Sequence, residues 1–189
     1  GLFNRLGFSF WVEFIMVILI LDFFIWLQHL LTHKIEFLWR IHRVHHSDTE
    51  MDISTAIRFH PIEIALSMAL KIGLVYALGA DPLSVLIFEI LLNGSSIFNH
   101  ANINIPNRID KIVRFLIVTP DMHRIHHSSD RIEHDTNFGF ALSIWDHMFR
   151  TYKSRPERDH KEMEIGLSWQ DEKPEKLGWS LGLPFKKNG

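Results

Sequence analysis

The length, composition and charge of the chain exclude several classes of protein. At 189 residues it suits a single domain, and its formal net charge of −2 gives no electrostatic case for nucleic-acid binding, which needs a basic stripe. It contains no cysteine, which excludes disulfides, iron–sulfur clusters and thiolate zinc sites. Any bound metal must therefore be carried by the 13 histidines.

The apolar residues, 47% of the chain, are concentrated in two stretches. Residues 6–31 and 62–98 are each long enough to enter a bilayer, which needs about 20 apolar residues per helix. The sequence therefore predicts an all-α fold, an integral membrane helical bundle with interfacial helices. Because residues 6–31 lack the features of a cleavable signal and the chain begins at Gly1, we expect a further membrane helix upstream.

The first predicted span carries an acid on the same face as two histidines. His29 and His33 are four residues apart, and Asp22 lies within about 20° of His29 around a helix. An ionisable group in a membrane helix is a functional candidate. About 10 Å of rise separates Asp22 from His29, so we interpret the acid as an outer support or substrate-channel residue rather than a ligand.

One pattern of six residues, His-Arg-x-His-His-Ser, occurs twice after this span, at residues 42–47 and 123–128. Positions i, i+3 and i+4 of a helix share a face, so each copy directs at least two imidazoles, and with slight unwinding three, at one point. Imidazole nitrogens suit zinc, copper, iron or nickel, and histidines without thiolates leave the metal charge uncompensated. The recurrence predicts a metal site rather than two solvated turns.

Residues 62–98 are predicted to form a membrane hairpin, because residues 79–82 are a turn signal between two helices. Lys71 and Glu89 are nearly equidistant from this turn, so they reach the same depth and can form an ion pair. The same count places His60 and His100 together about 30 Å from the turn, at the end that bears the other histidines.

The segments that flank the two histidine patterns are predicted to lie along the membrane surface. Residues 35–46 and 109–118 have the amphipathic pattern of interfacial helices. Thr119 and Pro120 provide a helix cap and a proline at the first helical position, so the second pattern should open a new helix.

Two regions follow the second pattern. Residues 137–152 form an amphipathic aromatic segment that we expect to cover the site. We predict a membrane-embedded domain of residues 1–152 that carries the metal site, and a polar cytoplasmic tail of residues 153–189 that packs on it.

Basic residues predict the orientation of the chain. The turn of the hairpin has none, whereas the segments before and after the hairpin are basic, with Lys34, Arg40, Arg43, Arg58, Arg108, Lys111, Arg114 and Arg124. By the positive-inside rule the metal site faces the cytoplasm, in the plasma or inner membrane of a cell or in the endoplasmic reticulum.

The histidines expected at one membrane face exceed the needs of a single ion. They are His29, His33, His42, His45, His46, His100, His123, His126 and His127. Two six-coordinate ions need about twelve positions, so nine ligands leave about three open, whereas closed structural sites leave none. The sequence therefore predicts two metal ions that carry out chemistry.

Further short motifs accompany the histidines. They are Asn99-His100-Ala101-Asn102, Asn137-Phe138-Gly139-Phe140, Trp145-Asp146 and Thr151-Tyr152. With His-x3-His and two copies of His-x2-His-His between membrane helices, residues 20–152 resemble the fatty acid hydroxylase and sterol desaturase superfamily of integral-membrane di-iron oxygenases.

The resemblance implies an activity and its requirements. Two non-haem irons, for which zinc can substitute, would activate dioxygen to hydroxylate or desaturate a lipid such as a fatty acyl chain or a sterol. Electrons would come from a separate donor of the cytochrome b5 or ferredoxin type. The substrate would be a lipid in the membrane, and no nucleic acid is implied.

The chain also departs from the family pattern. Asn104 stands where some hydroxylases have a tenth histidine ligand, and Arg150 stands where the family usually has glycine. The residues alone leave two further roles undecided. These are metal ligation by His60 and contact of His134 with the substrate or with the ligands. His147 and His160 are interpreted as surface or packing residues.

Two other classes stay open from the residues alone. A histidine-rich protein that binds or transports zinc would have ionisable groups along a path through the bilayer. A zinc-dependent membrane hydrolase would need a glutamate as general base beside the motif, and neither triple-histidine pattern contains one.

The position of the histidines also predicts how a lipid reaches them. Residues 23–27 run into the bilayer below His29 and His33, so we expect substrate to approach laterally along that stretch. Residues 109–118 and 138–149 would cover the metals and exclude water.

Overall fold

The computed structural model describes residues 1–160, 162–170 and 173–187, and in this part of the chain every regular element is a helix. The helices in chain order are α1 (Leu2–Leu6), α2 (Phe10–Lys34), α3 (Glu36–His42), α4 (Pro61–Leu78), α5 (Pro82–His100), α6 (Asn107–Val113), α7 (Pro120–His126), α8 (Arg131–His134), α9 (Ile144–Phe149) and α10 (Leu177–Gly182). Short 3₁₀ turns occupy His45–Ser47, Ile53–Ile57 and Leu183–Phe185. The predicted all-α class is confirmed.

Three helices, α2, α4 and α5, are long and apolar enough to cross a membrane. Large apolar side chains on them face outward, and Ile72 and Ile90 are 63% and 62% exposed. Such exposure is costly in water and favourable in lipid. The helices pack together through a small core in which Val17 and Leu21 of α2 contact Phe88 and Leu92 of α5. The predicted membrane bundle is thereby confirmed.

The predicted hairpin is formed by α4 and α5. Gly79 ends α4 in the left-handed conformation with φ 67°, and the Asp81 carboxylate accepts hydrogen bonds from the first backbone N–H groups of α5. Lys71 Nζ donates to both carboxylate oxygens of Glu89, at 2.7 and 2.8 Å. The ion pair expected from their equal depth is confirmed.

The start of the first span differs from the prediction. Gly7, with φ 62°, ends α1, and α2 begins only at Phe10 rather than at residue 6. A glycine adopts this left-handed conformation without steric cost, so the chain turns before the long helix begins.

The two predicted interfacial helices are shorter than expected, and the amphipathic segment of residues 137–152 is helical only in part. Helix α3 ends at His42, and α6 ends at Val113 instead of residue 118. Within residues 137–152 only α9 is helical, because Ile117 pairs with Leu142 in an isolated antiparallel bridge. Backbone groups in bridges of this kind are no longer available for helical hydrogen bonds.

The described residues after 152 lie against the polar end of the helices that bears the first histidine pattern. Arg43 donates to the carbonyl of Leu183 at 2.6 Å, and Gln170 donates to that of Ser47 at 2.9 Å. Val44, Leu167 and Leu183 form a small apolar cluster. Residues 161, 171–172 and 188–189 of the predicted tail lie outside the described residues.

Candidate metal centre

The nine histidines expected to bind metal come together in two buried groups. The first group consists of His29, His33, His42, His46 and His126, and the second consists of His45, His100, His123 and His127. Within each group, one ring nitrogen per residue lies within 4.8 Å of the corresponding nitrogens of all the others. The groups adjoin, because the rings of His46 and His127 stack with centroids 4.6 Å apart. This arrangement offers two neighbouring sets of metal ligands.

Each copy of the triple-histidine pattern contributes to both groups. In the first copy, the outer pair His42 and His46, four residues apart, belongs to the first group, and His45 belongs to the second. The second copy does the reverse, and only its middle histidine, His126, joins the first group. The prediction that each copy directs at least two imidazoles at one point agrees with this arrangement, whereas the middle histidine of each copy belongs to the other group.

The local structure explains this division. Helix α3 ends at His42, and His45 and His46 lie in a 3₁₀ turn, so the second half of the first copy is not α-helical. The second copy lies in α7, which begins as predicted with Pro120 and with the Thr119 side chain accepting from the Met122 N–H. Residues i, i+3 and i+4 share a broad face of a helix, but residue i+3 lies about 60° to one side of residue i and residue i+4 about 40° to the other.

Several imidazoles are oriented by oxygen atoms at Nδ1. The ring of His29 donates to the carbonyl of Phe138 at 2.7 Å, that of His100 to Ser96 at 2.7 Å, and that of His126 to Thr136 at 2.8 Å. A proton held at Nδ1 leaves the lone pair of Nε2 free to bind a metal. The hydrogen bonds thus select the tautomer that a metal ligand requires.

The donor atoms of these groups fit bound cations. Nε2 of His29 lies 3.2 Å from Nε2 of His42, and Nε2 of His100 lies 3.2 Å from that of His45. Lone pairs that face each other at this distance repel unless a cation or a shared proton lies between them. Both ring nitrogens of His46 are buried without a hydrogen-bond partner.

Burial also keeps the histidines in the form that binds metal. It lowers the pKa of His46 and His127 well below the ordinary value, and the neighbouring imidazoles act in the same direction. The rings are therefore neutral at physiological pH, as a metal ligand must be.

Glu63 is a component of the site that the sequence reasoning missed. Its Oε1 accepts a hydrogen bond from Nδ1 of His42 at 2.6 Å, and the residue lies in the first turn of α4. Carboxylate partners of this kind fix the orientation of metal-binding histidines. The available signal was an acidic residue, three positions after His60, at the start of a membrane-spanning helix.

Asp146 holds together the segment that supports His29. Its carboxylate accepts hydrogen bonds from the Phe138 and Gly139 N–H groups at 2.9 and 2.8 Å, and from Trp26 of α2 at 3.0 Å. The carbonyl of Phe138 is the acceptor for His29. Burial raises the pKa of Asp146, while these donors oppose the shift. The acid therefore fixes the backbone that orients a candidate ligand.

Aromatic rings cover the histidines, in part as predicted. The ring of Phe138 lies 5.2 Å from His33, and that of Phe140 lies 5.3 Å from His29. The predicted contribution of residues 109–118 is wrong, because Ile112 and Phe115 are 76% and 72% exposed. Apolar side chains on that segment face outward and are available to a membrane instead.

A cavity of about 270 Å³ opens beside the first group, between α2, α4 and α5. His29 and His42 line its inner end, and Ile25 and Leu92 line its wall. Of residues 23–27 only Ile25 lines this cavity, and the lateral approach of substrate along that stretch stays a prediction. Trp26 stacks on Phe149 with centroids 4.7 Å apart, so the opposite face of that stretch is covered by protein.

Two of the remaining polar candidates do not join either group. The ring of His60 accepts a hydrogen bond from the Ile62 N–H and caps α4, and Asn104 is exposed. The exposed His147 packs on Tyr152, with centroids 4.0 Å apart, as predicted.

His134 lies next to the first group without belonging to it. It forms a further possible metal-binding set with His33 and Asp135, and its ring stacks on Trp39 with centroids 5.0 Å apart. The interpretation of His134 as a contact of the ligands stays a prediction.

Comparisons with known proteins agree with this geometry. The chain is 30% identical to the ornithine lipid hydroxylase OlsE of Rhizobium tropici over 181 residues, which is 94% of the chain and 51% of the relative. It is 28% identical to the alkylglycerol monooxygenase of Homo sapiens over 142 residues, 72% of the chain and 30% of the relative. It is 27% identical to the cholesterol 25-hydroxylase of Homo sapiens over 149 residues, 76% of the chain and 51% of the relative.

The chain spans about half of two of these curated relatives and 30% of the third. No solved structure matches it significantly. The family model described as fatty acid hydroxylase matches residues 14–151, which contain all nine clustered histidines. The chain therefore belongs to the fatty acid hydroxylase family.

Proposed function

We propose that this chain carries the catalytic centre of a membrane-bound, O2-dependent lipid hydroxylase that uses two irons. The observation that carries the proposal is the pair of adjoining histidine groups beside a cavity between membrane-spanning helices. The five histidines of the first group would hold one iron, and the four histidines of the second group would hold the other. The names of the relatives, which are lipid hydroxylases and monooxygenases, support the same reaction class.

The bound irons would supply the activation of dioxygen and the insertion of one of its oxygen atoms into a C–H bond. Residues of the chain would orient the metal ligands and exclude water from them. The carbonyls of Phe138, Ser96 and Thr136 orient three of the ligands, and Glu63 orients a fourth. Phe138 and Phe140 exclude water from the histidines, which protects a strong oxidant from side reactions.

The reaction also requires a reductant. Hydroxylation inserts one oxygen atom into the substrate and reduces the other to water, which consumes two electrons and two protons. A separate protein of the cytochrome b5 or ferredoxin type would provide the electrons. Because basic residues flank the spans on the side of the histidines, that side would face the cytoplasm and receive the donor there. Residues 153–189 would form a polar tail on that side, and residues 1–152 the domain that carries the centre.

Zinc transport is a less suitable function for this arrangement. The clustered histidines occupy the last turns of α2 and α5 and the segments that follow, not positions along the length of the spans. A transport path would need polar groups at successive depths. Zinc would still occupy the site during overexpression, because imidazole binds it well.

Lipid mass spectrometry tests the proposed function. Lipids are compared from cells that express the protein, a variant with both His45→Ala and His126→Ala, or neither. A gain of about 16 mass units in a lipid class, found only with the unaltered protein, supports hydroxylation. A loss of about 2 units would instead mean desaturation, and identical lipid profiles in all three strains, at equal protein levels and with iron present, would contradict the oxygenase function.

A further inference from the structure

A third set of possible metal ligands lies beside the first histidine group. It consists of His33, His134 and Asp135, and one donor atom from each lies within 4.8 Å of those of the other two. Nδ1 of His33 is 3.6 Å from Oδ1 of Asp135. Two imidazoles and one carboxylate bind ferrous iron in non-haem oxygenases and leave other coordination positions open. These three side chains are therefore suited to hold a divalent transition metal.

This set extends from the surface of the protein to the buried centre. His134 is partly exposed, and the side chain of Asp135 is 23% exposed. His33, in contrast, is buried and is also a member of the first histidine group. An ion that reaches the two outer ligands therefore needs only one shared residue, His33, to reach the centre.

A surface pocket of about 190 Å³ opens at the two histidines of this set. Trp39 forms part of its wall, and the Trp39 ring lies 5.0 Å from the rings of both His33 and His134. Arg131 also lines the pocket, but it is exposed, so water and salt screen its charge. A hydrated ion can therefore approach His134 from the solvent through this pocket.

The ring of His33 is held less firmly than those of several other candidate ligands. Within the described part of the chain, neither ring nitrogen of His33 has a hydrogen-bond partner. The ring of His29, in contrast, donates from Nδ1 to the carbonyl of Phe138 at 2.7 Å. A hydrogen bond at one nitrogen fixes which nitrogen binds metal. Without one, His33 is free to offer a lone pair to the outer set or to the first group.

We propose that His134, Asp135 and His33 form a transfer site through which divalent metal ions enter the first histidine group. The ion binds to the two outer ligands and to His33, and then exchanges the outer ligands for histidines of the first group. The step is a ligand exchange, so the ion keeps its charge and no electron is transferred. The inference rests on the metal centre of the proposed function but not on the reaction that the centre carries out.

Lys34 competes with the incoming ion for the carboxylate. Its Nζ lies 2.8 Å from Oδ2 of Asp135, and its side chain is 47% exposed. Exposed ion pairs of this kind are weak, so a divalent ion that also gains two imidazoles displaces the lysine. The transfer site therefore predicts opposite effects for the two members of this pair: loss of Asp135 slows metal entry, and loss of Lys34 speeds it.

The test uses the full chain, purified in detergent and freed of metal with a chelator. Ferrous iron is added without oxygen, and the iron retained by the protein is measured by elemental analysis at successive times. Release into excess chelator is followed in the same way. We expect His134→Ala and Asp135→Asn each to slow the uptake and the release of one of the two ions about tenfold. The iron bound at equilibrium should not change, because a group that holds the ion only in transit affects both directions equally.

Three further variants separate transfer from a structural role. Asp135→Glu keeps the carboxylate and should restore most of the uptake rate. Lys34→Met should speed uptake about two- to fivefold, as expected for release from an exposed ion pair. Glu36→Gln is the matched control for charge, because Glu36 is an exposed acid near Lys34 in the chain but lies outside the described lining of the pocket. It should leave both rates unchanged.

Two outcomes would overturn the inference alone. One is unchanged uptake in both His134→Ala and Asp135→Asn. The other is less iron at equilibrium with unchanged uptake, because Asp135 would then only orient His33 in the filled centre. An unaltered chain that binds no iron would contradict the inference together with the proposed function. Slowed uptake in the variants of a protein that binds two ions but oxidises no lipid would support the transfer site and contradict the oxygenase function instead.

Discussion

Glu63 accepts a hydrogen bond from Nδ1 of His42 at 2.6 Å, which connects the start of a membrane-spanning helix to the first histidine group. Loss of such a partner typically lowers metal affinity about 10–100-fold. We therefore expect Glu63→Gln, which keeps the size of the side chain, to release metal at correspondingly lower chelator concentration. Metal retained during chelator titration measures this, with exposed Glu50→Gln as control. Equal retention in both variants would mean that Glu63 does not support His42.

The division of the histidines between two groups predicts selective loss of metal. His126 belongs to the first group and His45 to the second, so His126→Ala and His45→Ala should each reduce about two bound metals to about one. Both should abolish turnover while the protein still inserts into the membrane. Elemental analysis of purified protein measures the stoichiometry, with the exposed His147→Ala as control. A single ion at full occupancy in the unaltered protein would contradict the two-metal arrangement.

Gly139 lies where the chain has no room for a side chain. A Cβ atom there would approach Cγ2 of Val118 to 2.7 Å and the carbonyl oxygen of Leu142 to 2.8 Å. Overpacking of this kind costs about 1–3 kcal/mol, and it should displace the Phe138 carbonyl that orients His29. We expect Gly139→Ala to lower the Tm and the metal content together. In Gly94→Ala the added Cβ meets nothing within 4 Å, and both quantities should be unchanged or slightly improved.

Arg150 adopts the left-handed conformation, with φ 61°, at the end of α9. A residue other than glycine in this region costs on the order of 1 kcal/mol. Arg150→Gly should therefore raise the Tm in detergent, whereas Arg150→Ala, which keeps the Cβ atom, should not. If both variants shifted the Tm equally, the change would come from the loss of the arginine side chain and not from the backbone.

The ion pair between Lys71 and Glu89 should behave as a coupled unit. Lys71→Met leaves the carboxylate of Glu89 without its partner in the membrane, which is more costly than removal of both charges. We expect the Lys71→Met and Glu89→Leu double variant to be more stable than Lys71→Met alone. The Tm values of the four proteins in this cycle measure the coupling, and additive effects would show that the pair contributes nothing.

Local signals in the sequence were sufficient for much of the fold. The glycine and proline of residues 79–82 end one span and begin the next, and Thr119 and Pro120 start α7, because caps and turns depend on adjacent residues. The amphipathic pattern of residues 137–152 predicted that the segment covers the site, as Phe138 and Phe140 do, but not how the segment is held there. There the N–H groups of Phe138 and Gly139 bond the distant carboxylate of Asp146, which no periodicity reveals.

The sequence by itself determined that nine histidines meet at one end of the spans, because helical spacing and distance from the hairpin turn place them there. Only the tertiary structure decided which histidines share a group, since His126 joins the outer pair of the first pattern and His45 joins His100. It also decided that Glu63 supports His42 and that the cavity lies toward α4 and α5. Spacing along one helix defines the face on which a side chain lies, but the partners on that face come from other segments, whose packing depends on the whole chain.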